Sequence, residues 1–258
     1  MNAPVEPDEL EDSRAPLLDH LIELRRRLLL SLATLLVAFV VCLVFAEPIF
    51  GFLVRPLVKA GENRLIYTEL FEAFFVQLKV AFFAGLMISF PVIANQLWQF
   101  VAPGLYRREK KALLPFLFAT PVLFLMGAAL AYYVAIPTAL HFLLGYDREV
   151  GGVHQEALPR VGNYLSVIMQ FLFGFGIAFL LPILLMLLER AGIVTRQQLK
   201  GARRYAVIGC FAVALVLAPP DAGSMILLAL PLYVLYELAL IGIWFTERKR
   251  AKAALDQA

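Results

Sequence analysis

Six apolar runs, each bounded by charged or turn-forming residues, limit what this chain can fold into. They cover Leu28 to Phe45, about Phe74 to Ala94, Leu114 to Ile136, about Ser166 to Leu188, Tyr205 to Leu217 and Ser224 to Phe245. A bilayer offers no water to backbone N–H and C=O groups, so runs of this kind predict helices that satisfy themselves internally. Composition agrees: 61% of the 258 residues are hydrophobic and 17% charged, against roughly 45–50% apolar for a soluble domain. The expected class is an all-α polytopic membrane protein with six transmembrane helices.

Lysine and arginine set the orientation, because short loops rich in them stay on the cytoplasmic side. One side collects Arg14 and Arg25–Arg27, then Arg107, Arg108, Lys110 and Lys111, then Arg190 through Arg204, then Arg248 through Lys252. The other holds Arg55, Lys59, Arg64, Arg148 and Arg160. Both termini are therefore expected in the cytoplasm. The predicted organisation is a disordered acidic tail over residues 1–15, a six-span domain over 16–246 and a cytoplasmic tail over 247–258. Leu17, Leu21, Leu24 and Leu28 repeat at helical spacing, so an interfacial amphipathic helix should lead into the first span. The acidic, Pro-containing first 19 residues do not resemble a cleavable signal peptide. The net charge of +3 sits in clusters beside apolar runs, which argues for membrane orientation and against nucleic acid. Cys42 and Cys210 lie at different predicted depths and read as buried small hydrophobes.

The fifth run is short. Its thirteen or so residues reach only ~20 Å at ~1.5 Å per residue, against ~30 Å of hydrocarbon. Either the bilayer thins there or protein replaces lipid around it. No internal repeat is visible, which disfavours an ordinary alternating-access transporter.

Polar residues at the membrane divide by plausible role. Lys79 can snorkel outward or pair with a carboxylate such as Glu72. Glu237, in LPLYVLYELAL, serves either a proton relay or a structural hydrogen bond. Asp221 after Pro219 and Pro220 suits a turn and a helix cap. His20, His141 and His154 fall outside the predicted spans, and no HExxH, GxSxG or Cys/His cluster occurs, so neither an enzyme nor a metal site is expected. The stretch from Pro91 to Lys111, PVIANQLWQFVAPGLYRREKK, ends a span in amides, aromatics and a basic cluster around Glu109. Glu23 stands similarly in HLIELRRRL. Each carboxylate can pair with an arginine on its own helix, or the two together can select a ligand carrying two arginines in bidentate forks.

HLIELRRRL at His20 to Leu28, FPVIANQLWQFVAPGLYRRE at Phe90 to Glu109, PPD at Pro219 to Asp221 and LYE at Leu235 to Glu237 together resemble TatC, the polytopic subunit of twin-arginine protein translocases. The resemblance covers nearly the whole chain. It implies six helices in a cupped arrangement in the cytoplasmic membrane, which receive the twin-arginine signal peptide of folded cargo and export it with the proton-motive force. It implies no cofactor, single-span partners of the TatA and TatB type, and several copies in one assembly. By motif, Glu23, Arg25, Phe100, Leu105 and Glu109 would bind the signal peptide. Pro56, Pro219, Pro220, Asp221 and Glu237 would serve shape or assembly. The chain carries Leu180 where many relatives have glutamate, Ala218 where threonine is common and Met225 where glutamine is common. Those polar groups are implicated in docking the partners, so the departure implies either a more apolar docking surface here or partners that bind elsewhere.

Overall fold

The computed structural model describes residues 7–105, 114–145, 148–150, 153–155, 158–190, 192–217 and 222–255. It shows an all-α polytopic membrane protein. The first span is carried by α1 (Pro7–Val44), followed by α2 (Ala46–Lys59) and the second span, α3 (Glu72–Leu105). The third runs from α4 (Leu114–Leu130) through a π-helical turn (Ala131–Ala135) into α5 (Ile136–Leu144). A small ribbon follows, with β1 (Arg148–Val150) antiparallel to β2 (Val153–Gln155). The fourth span is α6 (Val161–Ala178) plus α7 (Leu181–Arg190), the fifth is α9 (Arg203–Leu217) after the short α8 (Arg196–Gly201), and the sixth is α10 (Ala222–Leu255).

Five of the six are long and apolar enough to cross a bilayer on length and composition, and α9, at 15 residues, is the exception. Helix α1 begins at Pro7, inside the stretch read from sequence as an acidic tail, and α10 continues to Leu255, beyond the predicted end of the sixth span. The third span reaches Leu144, past the expected end at Ile136, so His141 lies on its last helical turn rather than outside it. Pro137 stands directly after that expected end, in the first turn of α5. The preceding π turn reorganises the hydrogen bonds that a proline would otherwise break, and the helix carries on.

Half of the stretch between the first two apolar runs, residues 46–73, is the helix α2. Pro48 sits in the first turn, where N–H groups have no intrahelical partner anyway. Pro56 is interior and removes the donor that would have reached the carbonyl of Phe52 four residues back. Tyr132, on the π turn, fills that gap: its hydroxyl donates to Phe52 O at 2.8 Å while its ring stacks on Phe52 at 4.4 Å between centroids. Tyr164, on α6, donates to the adjacent Leu53 O at 2.9 Å. A helix that proline weakened is thus fastened to two spans. Gly61 then reverses the chain at φ +100°, a conformation that favours glycine.

A buried carboxylate closes the same end. Glu72, at the start of α3, accepts from the Thr68 N–H at 2.8 Å and from the Gly162 N–H of α6 at 3.1 Å, with Arg160 at 3.6 Å. Ile66 pairs with the strand-like approach to α6 through Pro159 O and the Val161 N–H. Two helix N-termini therefore share one anion, as their dipoles favour.

Within the bundle, glycines let helices approach. A Cβ at Gly85 on α3 would meet the backbone N of Phe39 on α1 at 2.8 Å, so the first two spans touch backbone to backbone. A Cβ at Gly176 on α6 would strike the Phe124 ring of α4 at 2.5 Å, and one at Gly127 on α4 would strike the Phe175 carbonyl. The pair Gly174/Gly176, an interruption in the sequence pattern, is partly a seat for Phe124, which also stacks on Phe90 at 3.6 Å. Cys42 and Cys210 are buried free thiols, as expected. Gly127→Val should lower the thermal midpoint of the purified protein sharply, by about 2 kcal/mol or more. Gly51→Ala, where a Cβ meets nothing within 4 Å, should change it little; equal effects in a detergent melting series would contradict this packing.

Candidate functional site

The basic end of the bundle carries a polar ledge built by α1 and α3. Arg27, one turn beyond Glu23 on α1, turns its guanidinium back on that carboxylate: Nε donates to Glu23 Oε1 at 3.0 Å and Nη2 donates to the same oxygen. Its Nη1 crosses to α3 and donates to Gln99 Oε1 at 2.7 Å, with Gln96 Oε1 at 3.4 Å. Gln99 in turn donates through Nε2 to Asn95 Oδ1 at 2.8 Å. Asn95, Gln96 and Gln99 occupy one side of the helix end by i, i+3, i+4 spacing. One guanidinium thus bridges a carboxylate on the first span and two amides on the second. The ledge is half-buried at Glu23 and Arg27 and exposed at Gln99.

Of the residues predicted to bind a ligand, Glu23 lies in the ledge, and Phe100 is half-buried one turn beyond Gln96. Arg25 is exposed and makes no ion pair among the described residues. Leu105 is the last residue of α3, and Glu109 lies outside the described residues. The structure therefore supplies one of the two carboxylates with its local partner, and says nothing of their meeting. Pro219, Pro220 and Asp221 are likewise outside the described residues. Sequence reasoning passed over Arg27 and the amides as members of one network; the signal was polar spacing at a helix end facing a run of arginines. Trp98, read as an interface aromatic, instead donates from Nε1 to Thr120 Oγ1 at 2.9 Å and ties α3 to α4 behind the ledge.

The two charged residues of the spans part ways. Glu237 on α10 has both oxygens engaged, Oε2 with Arg203 at 2.7 Å and Oε1 with the Tyr233 hydroxyl at 3.0 Å. This links α10 to the start of α9, the kind of contact a structural hydrogen bond makes. Lys79 is exposed on the second span and makes no ion pair among the described residues; Glu72 is engaged elsewhere. Phe82, Phe83, Met169 and Phe173 surround its groove. Its stem points toward the N-terminal end of α3, the direction in which a lysine snorkels. Among the described residues no group of His, Cys, Asp and Glu could hold a metal ion.

Six helical spans with an arginine-bearing polar ledge at one basic end define a polytopic integral membrane protein. The family model described as Sec-independent protein translocase protein (TatC) matches residues 19–231. Curated relatives of that name include one from Magnetococcus marinus, 45% identical over 243 residues that cover 93% of this chain and 88% of the relative. Another, from Aquifex aeolicus, is 37% identical and covers 91% and 98%. Two crystal structures of TatC, titled as the twin arginine translocase receptor, superpose with TM-scores of 0.75 and 0.72 at 36% identity, covering 86% of this chain and 98% and 96% of theirs. The chain belongs to the TatC family of protein translocase components, which are transport proteins and not enzymes.

Pairing at Glu237 has a measurable consequence. Glu237→Ala strands Arg203 and should destabilise the purified protein by about 1–3 kcal/mol. Glu237→Gln, which keeps a hydrogen-bonding acceptor, should be milder and retain export; loss of export by Glu237→Gln without loss of stability would favour the relay.

Proposed function

We propose that this chain is the signal-peptide receptor and core subunit of a twin-arginine translocase, and that Glu23 and Glu109 take one arginine each of the paired-arginine motif. The observation that carries the reading is the seating of Arg27 on Glu23. An oxygen at the basic end of the bundle already accepts a guanidinium through two N–H groups, with amides beside it for the remaining donors. An incoming arginine takes that seat, and Arg27 falls back on Gln96 and Gln99. Glu109, in the segment after α3, supplies the second carboxylate. Phe100 and Leu105 meet apolar residues that follow the arginines, and Arg25 helps set the register of the segment.

In this reading both termini face the cytoplasm and the protein lies in the cytoplasmic (inner) membrane. Residues 16–246 form the membrane domain between two tails. Single-span partners of the TatA and TatB type join it, several copies assemble, and the proton-motive force drives folded cargo outward. Pro56 and the PPD turn shape the outer face; Leu180 and Met225 make partner docking rest more on apolar packing than in relatives with polar groups there.

A labelled signal peptide should bind the detergent-solubilised protein, and its twin-lysine version should bind more weakly, because lysine lacks the planar fork. Glu23→Ala and Glu109→Ala should each weaken binding by roughly tenfold or more, the range for a charge-assisted hydrogen bond. Unchanged affinity in both variants would defeat the residue assignment, and no peptide binding at all would leave a scaffold for its partners.

A further inference from the structure

The carboxylate assigned to the ligand is already occupied by an arginine of the chain itself. Glu23 and Arg27 stand four residues apart on α1, so their side chains meet on one helix face. Arg27 Nε and Nη2 both donate to Glu23 Oε1, and two donors use the two lone pairs of that oxygen. A bidentate fork lays one N–H on each carboxylate oxygen. An arriving guanidinium therefore cannot complete its fork on Glu23 until Arg27 leaves.

The surroundings let Arg27 leave. The side chains of Arg27 and Glu23 are 20% and 35% exposed: buried enough to hold better than a fully hydrated pair, open enough to exchange. On its far side Arg27 Nη1 already donates to Gln99 Oε1 at 2.7 Å, with Gln96 Oε1 at 3.4 Å, and Gln99 is itself held by Asn95. A displaced Arg27 thus keeps acceptors on α3 and is not left bare. Arg25 and Arg26 fall off the Glu23 face by helical phase; both are exposed and make no ion pair among the described residues.

We propose that Arg27 is an internal rival of the signal peptide, closing Glu23 in the empty receptor and limiting how tightly the peptide holds once bound. This deepens the receptor reading and rests on it. A rival tethered on the same helix acts at an effective concentration of mM or above. A lone guanidinium at lower concentration does not displace it, so a ligand must bring further contacts, such as a second arginine for Glu109. When the peptide arginine lifts off, Arg27 refills Oε1 and blocks recapture. Binding is weaker for this, and release is faster.

The test measures affinity and dissociation rate of a labelled twin-arginine signal peptide on the full-length protein in detergent, alongside two versions with one motif arginine replaced by glutamine. Arg27→Gln should tighten twin-arginine binding by roughly threefold to tenfold, chiefly through slower dissociation. Arg27→Lys keeps the charge but loses the planar fork, so it should act in the same direction by a smaller factor; it also serves if Arg27→Gln fails to fold. The Arg27→Lys gain should vanish with the one glutamine version that lacks the arginine meeting Glu23, and equal gains with both versions would overturn direct rivalry. Unchanged or weaker binding in both Arg27 variants, with Glu23→Ala still weakening it, would overturn this inference alone and make Arg27 a positioning residue for Glu23. Binding indifferent to Glu23→Ala would overturn the assignment of Glu23 to the ligand, and the rivalry with it.

Discussion

The guanidinium of Arg27 holds the basic end of the molecule together. It bridges the first and second spans by pairing with Glu23 on its own helix and with Gln99 on the next. It can do so because the two helices already run in backbone contact at Gly85 and Phe39, which brings their ends within reach of one side chain. Only 6% of the first span's apolar window is buried, so this seam matters more to α1 than to helices packed on several sides. An ion pair at a membrane surface contributes modestly in high dielectric. Its larger effect is to hold a carboxylate in a geometry that fits a guanidinium.

The opposite end is held by different means. Proline removes one hydrogen bond from α2, and tyrosines of the third and fourth spans take up the carbonyls around it. Glu72 then gathers N–H groups from the approaches to two helices. The tied outer end and the close helix contacts at Gly85, Gly127 and Gly176 frame the ledge, so that under the proposed function a ligand arriving there would meet positioned groups. Preorganised groups of this kind bind with less ordering on association.

The six spans were legible because hydrophobic length is set by the bilayer, and even the short α9 showed itself as a short apolar run. The helical nature of α2 was not legible: Pro48 and Pro56 signal breaks, and the Tyr132 hydroxyl that replaces the hydrogen bond lost at Pro56 lies far away in sequence. The continuation past Pro137 was hidden for a similar reason, since a π turn leaves no mark in composition. At the ledge, the sequence allowed Glu23 either a pairing on its own helix or a share in a ligand, and the structure shows the first; the choice of Arg27 over Arg25 or Arg26 depends on helical phase and on the amides of α3. Glu237 read more readily as a structural hydrogen bond than as a proton relay, and its contacts with Arg203 and Tyr233 are of the structural kind.

The central claim is that the oxygens of Glu23 grip an arginine of the incoming peptide directly. A double-mutant cycle measures this, combining Glu23→Gln with replacement of each motif arginine by glutamine in turn and reading peptide affinity at each corner. The account predicts a coupling of about 1–3 kcal/mol with one of the two arginines and near zero with the other. Additive effects at both would mean that Glu23 acts only through Arg27 on the fold, and the claim would be wrong.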